Sequence, residues 1–68
     1  MDRFKIGDIV TVTTVDSASA VGCLGSVRVV KMKEFDNARN EWKYLTESYS
    51  GTGFYWCFDH ELTPGVKC

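Results

Sequence analysis

Residues 51–62 read Gly-Thr-Gly-Phe-Tyr-Trp-Cys-Phe-Asp-His-Glu-Leu. The aromatic run at 54–58 has no helical period, and aromatic side chains suit a pleated surface, so it is predicted as a strand. The glycines at 51 and 53 mark a turn before it. Asp59-His60-Glu61-Leu62 has the length of one 3₁₀ turn, and its two acids are expected to face solvent. Along the strand, Phe54, Trp56 and Phe58 share one face while Tyr55 and Cys57 share the other. One of these faces belongs to a core, and the rest of the chain must supply the wall against which it packs.

That wall reads as further strands. Residues 9–15, Ile-Val-Thr-Val-Thr-Thr-Val, are almost wholly β-branched, which disfavours helix and favours strand. Gly7-Asp8 is a turn before them, and residues 16–20 form a small, polar, exposed loop. The segment 26–33, Ser-Val-Arg-Val-Val-Lys-Met-Lys, alternates until Val29-Val30 and then changes phase. A bulge there would re-phase its two faces, as happens where a sheet curls. Residues 34–40 form an Asn- and Asp-rich turn, and 41–49 a third strand with Trp42, Tyr44 and Thr46 on one face. Residues 63–66 give a short last strand in which Pro64 suits an edge. Short strands separated by turn signals, with no helix-period segment, predict an all-β barrel or sandwich. Closure into a barrel removes open edges in so small a chain. The expected fold is a five-stranded, strongly bent SH3-like barrel spanning residues 1–68, with one 3₁₀ turn before the last strand. An OB-fold normally needs a longer chain.

Size and charge narrow the function. At 68 residues there is room for one domain, with 44 % hydrophobic and 13 % aromatic residues. The net charge is −1, which argues against electrostatic capture of nucleic acid over the whole surface. No apolar run approaches the roughly 18–20 residues that span a bilayer, and the polar first residues do not read as a signal peptide. Three cysteines, at 23, 57 and 68, form no CxxC pair. Reduced thiols in a cytoplasm are the expectation.

The chemistry-bearing residues give no catalytic or cofactor site. Cys57-x-x-His60, with Cys23 or Cys68 as further ligands, offers one poor pair where zinc wants four tetrahedral donors. The same pair lacks an oxyanion-hole loop and an orienting acid, so no nucleophilic site is assigned. Gly22-x-x-Gly25 is too short and too lysine-poor for a phosphate loop. Arg28, Lys31 and Lys33, joined by Lys43, form a basic strip on a solvated strand face, with Glu34, Asp36, Glu41 and Glu47 beside it.

Two motifs carry a family resemblance. Gly7-Asp8 opening a strand, followed after a loop by Gly22-Cys23-Leu24-Gly25-Ser26-Val27, resembles the KOW motif of SH3-like barrels. Residues 49–62 are similar to the C-terminal half of other small SH3-like proteins, among them subunit IV of photosystem I and short phage and bacterial barrels of unassigned role. The resemblance implies the fold over most of the chain. KOW domains usually present lysines to RNA from the glycine-rich loop, where this sequence has Cys23 and Leu24.

The expectation is a small non-enzymatic module, without a cofactor, that docks on another protein and modulates or inhibits it. The aromatic residues outnumber what one minimal core needs, and aromatic and arginine side chains dominate binding hot spots. Trp42, Tyr44, Tyr49 and Tyr55 are the expected contact rings, with Arg28 as polar anchor. The alternative is a KOW-type nucleic-acid binder using Arg28, Lys31, Lys33 and Lys43 with the same rings.

Overall fold

The computed structural model describes residues 3–16, 22–51 and 53–66. Among the described residues there are five strands, β1 (Ile9–Val12), β2 (Val27–Asp36), β3 (Glu41–Ser48), β4 (Phe54–Phe58) and β5 (Leu62–Pro64), and one 3₁₀ turn at Asp59–Glu61. All pairings are antiparallel, in the order β4-β3-β2-β1-β5. The all-β architecture and the 3₁₀ turn before the last strand are as expected. β4 and β5 remain the two edges, so hydrogen bonds do not close the sheet, although it bends around one core. The expected loop at 17–20 falls outside the described residues, and so do Cys68 and Lys67.

The bend is placed by β2. Register slips between Val30 and Met32, so the bulge lies at Lys31, beside the expected position. Before it Arg28 and Val30 point inward; beyond it Lys33 and Phe35 lie on the same face as their partners Tyr44 and Trp42, but both are exposed. An extra residue in one strand raises local twist and turns the later half of the strand. The β2–β3 hairpin closes with Asn40 at φ 55°, a left-handed conformation that asparagine tolerates. The Asp36 Oδ1 caps this turn by accepting the Arg39 N–H at 3.1 Å.

The core is Phe4, Val10, Val12, Cys23, Val30, Tyr44, Cys57 and Leu62, with Val15 and Trp42 packed against it. β1 lies between β2 and β5, and its Val10, Thr11 and Val12 are all buried, while Ile9 at its start is exposed. Complete burial of each valine contributes about 1.5–3 kcal/mol. Phe4 reaches in from the lead segment and meets the Tyr44 ring edge-on at 5.2 Å.

One acid corrects the expectation of a solvent-facing turn. Glu61 is fully buried. Its carboxylate accepts the Phe58 N–H and the Asp16 N–H, both at 2.7 Å, and its carbonyl accepts the Thr13 N–H at 2.9 Å. Burial of a carboxylate is tolerated where backbone donors satisfy it. Glu61 thereby fastens the chain after β1 onto the 3₁₀ turn. Arg3 fastens the lead segment to the same turn, through Asp59 Oδ1 at 2.6 Å and the Leu62 carbonyl at 2.7 Å.

Candidate functional site

β4 is an edge strand, and its alternation divides five bulky side chains between two faces. Cys57 faces the core beside Thr46. On the opposite face Phe58 is buried beneath Arg39, whose Cζ lies 4.1 Å over its ring. Trp56 is half-buried, with Lys43 Nζ at 5.0 Å from its ring centroid. The start of the strand is different: Phe54 is 56 % exposed and Tyr55 44 %, and Tyr49 in the preceding turn is 66 % exposed. Gly53, at φ 81°, sets this corner, and a Cβ there would come within 3.4 Å of the Tyr55 ring.

The register extends the apolar surface across three strands. Met32 pairs with Leu45, and Leu45 with Trp56, so these side chains form one row on the outer face, with Met32 exposed. Ion pairs border the row: Lys31 with Glu47 at 3.4 Å, and Lys43 with Glu34 at 3.3 Å and Asp36 at 3.9 Å.

The sequence-predicted contact residues separate into three groups. Tyr49 and Tyr55 are exposed at the same corner. Trp42 is half-buried, edge-on to Phe35 at 5.6 Å. Tyr44 and Arg28 are inside, which corrects their assignment as surface contacts. Tyr44 is fully buried because its hydroxyl finds partners there: it donates to Asp59 Oδ2 at 3.0 Å and accepts the Arg3 N–H at 3.1 Å. Burial, with the Asp59 carboxylate alongside, pushes its ionisation up to about 12. Arg28 is buried because its guanidinium donates to Thr46 Oγ1 at 2.7 Å and the Gly53 carbonyl at 3.0 Å. Its Cζ lies 5.0 Å from the Tyr55 ring centroid, so it supports that exposed ring from below.

The basic strip does not form one cationic surface. Arg28 is inside, Lys31 and Lys43 are in the ion pairs above, and Lys33 lies 5.8 Å from the Trp42 ring. Cys57 and His60 also point to different surroundings. Burial pushes the Cys57 thiol up, whereas His60 is exposed between Glu41 and Asp16. Its Nδ1 is 2.5 Å from Glu41 Oε2 and its Nε2 is 2.9 Å from Asp16 Oδ2. Hydrogen bonding to Glu41, opposed by partial burial and reinforced by Asp16, raises the His60 pKa. Among the described residues no group of three His, Cys, Asp or Glu side chains is arranged to hold a metal ion. No helix among them is long and apolar enough to cross a membrane.

Phe54, Met32 and Leu45 were not singled out by the sequence reading. Their alternation was visible, but the position of β4 at an edge is a property of the topology. A shallow pocket of about 160 Å³ adjoins the far end of the hairpin, lined by Phe35, Asn40, Glu41, Trp42 and Asp59. Compared with models of protein families, with curated proteins and with solved structures, the chain gives no match.

Proposed function

We propose that this chain is a non-enzymatic binding module of SH3-like form that docks on another protein and modulates it. The observation that carries the reading is the exposure of three rings around the start of an edge strand, Tyr49 in the turn before it and Phe54 and Tyr55 on its two faces. Exposed apolar edge strands invite pairing with another chain, and proteins normally blunt them. Here the edge keeps its rings, and the Met32–Leu45–Trp56 row lies on the same face as Phe54, while Tyr55 stands on the opposite face over Arg28. The strand order and the 3₁₀ turn before β5 favour the SH3-like description. The paired lysines and the buried Arg28 favour a protein partner over a nucleic acid, whose capture needs unneutralised cations.

The test is a double substitution, Phe54→Ser with Tyr55→Ser. Both side chains are substantially exposed, so folding stability should change by no more than about 1 kcal/mol. Capture of the partner should be lost. A double variant that folds and still captures the partner as the unaltered chain does would overturn the assignment of this corner as the contact face.

A further inference from the structure

The pocket between the β2–β3 hairpin and the 3₁₀ turn joins two aromatic rings, Phe35 and Trp42, to two carboxylates, Glu41 and Asp59. We infer that it receives an arginine side chain of the partner protein, an assignment that rests on the binding-module reading above. Three observations carry it. The first is size: about 160 Å³ is room for about five waters, comparable with a guanidinium and its last methylene.

The second is chemistry. An aromatic face attracts a guanidinium by stacking and by its quadrupole, and a carboxylate matches the guanidinium's fork of donors. The lining contains no lysine or arginine, and its two charged members, Glu41 and Asp59, are both acidic; Asn40 is its one neutral polar side chain.

The third is that this surface already seats two of its own arginines in the same way. Arg3 Cζ lies 4.7 Å over the Phe4 ring while its Nε pairs with Asp59 Oδ1 at 2.6 Å. Arg39 Cζ lies 4.1 Å over the Phe58 ring while its Nε approaches Glu41 Oε1 at 3.9 Å. Asp59 is therefore well occupied, by Arg3 and by the Tyr44 hydroxyl. Glu41 is not. Its Oε2 serves His60, but the contact of the exposed Arg39 to Oε1 is long, so an incoming guanidinium can take over that oxygen of the half-buried Glu41. Phe35, with the Trp42 ring that Lys33 Nζ approaches at 5.8 Å, then forms the ring side of the seat and Glu41 the charged side.

The experiment is an amide and indole NMR titration of the full chain with acetyl-Gly-Arg-Gly-amide, beside the same peptide with citrulline in place of arginine. Citrulline has nearly the same shape without the charge. Saturable shifts at Phe35, Asn40, Glu41, Trp42 and Asp59, with a dissociation constant on the order of millimolar for one isolated side chain, are expected with arginine only. Glu41→Gln should weaken this binding at least about threefold, while Phe35→Ala, at an exposed wall, should do so without disturbing the fold. Equal responses to the two peptides, shifts centred elsewhere, or two folded variants that bind as the unaltered chain does would overturn the assignment. The two readings fail separately. A partner captured through Phe54 and Tyr55, combined with a silent arginine titration, overturns the pocket and leaves the module standing. Saturable arginine shifts in a chain that captures no partner support the pocket and overturn the module reading.

Discussion

Replacing Glu61 by glutamine changes one atom of the structure and tests the buried clamp on which the 3₁₀ turn depends. In the native chain both carboxylate oxygens accept backbone N–H groups at 2.7 Å, one from Phe58 and one from Asp16. Glutamine keeps the shape but turns one acceptor into a donor. One buried N–H then faces an NH₂ group, which costs about 1–3 kcal/mol, and the surviving bond loses its charge assistance, about 1 kcal/mol more. Relief from burying a charge offsets part of this. The net expectation is a loss of about 2 kcal/mol. A single core of this size supplies only about 3–5 kcal/mol in total, so the loss is large. With a urea slope near 1 kcal/mol per molar, the midpoint should fall by roughly 2 M. Unfolding can be followed by the fluorescence of Trp42 and Trp56 with far-ultraviolet dichroism in parallel. Hydrogen exchange should also quicken at the Asp16 amide before it does in β3. A midpoint within about 0.3 M of the unaltered chain, with the same slope, would refute the clamp.

Two further outcomes follow from the same end of the molecule. Tyr44→Phe removes a hydroxyl that donates to Asp59 and accepts the Arg3 N–H, and should lower stability by about 1.5 kcal/mol, or roughly 6–12 °C in Tm by calorimetry; an unchanged Tm would show that water replaces the hydroxyl without loss. His60 is the only histidine, and its pKa is raised above the ordinary 6.5 by its hydrogen bond to Glu41. A raised folded pKa means that its contribution is fully present below pH 6.5 and is lost as pH rises through the folded value. His60 is exposed and Glu41 half-buried, so solvent screens the pair and the contribution is only about 0.2–1 kcal/mol. Urea midpoints should fall between pH 6 and 8.5 in the unaltered chain and stay level in His60→Gln; parallel slopes in the two would remove His60 from the account.

Much of the fold was legible because local preference and tertiary need agree. The aromatic run at 54–58 became β4 with the expected bounds, and the β-branched run became β1, though only over residues 9–12. Beyond Val12 the chain leaves the sheet because the Thr13 and Thr14 N–H groups turn to the Glu61 carbonyl. The inward-facing charges were not legible. Arg28 between valines reads as a surface residue, yet the Thr46 hydroxyl and the Gly53 carbonyl, both far away in sequence, satisfy it inside. Glu61 reads as a solvent-facing turn residue for the same reason, since its partners are backbone groups that only the fold brings to it. Period-two alternation also names two faces without saying which is buried. The alternation that groups Trp42 with Tyr44 is equally consistent with either ring outside, and the depth of Tyr44 is set by Phe4, Arg3 and Asp59. For the candidate site, Tyr49 and Tyr55 could be named in advance, whereas Phe54 and Met32 depend on where β4 and the Lys31 bulge lie.

The most direct test of the binding-module account is a capture experiment from lysate of the native organism or host, using the tagged chain and the Phe54→Ser/Tyr55→Ser variant, each with and without nuclease. The account predicts a defined protein partner that survives nuclease and is lost with the variant. Recovery that collapses on nuclease treatment would contradict it and move the site to the lysines of β2 and β3.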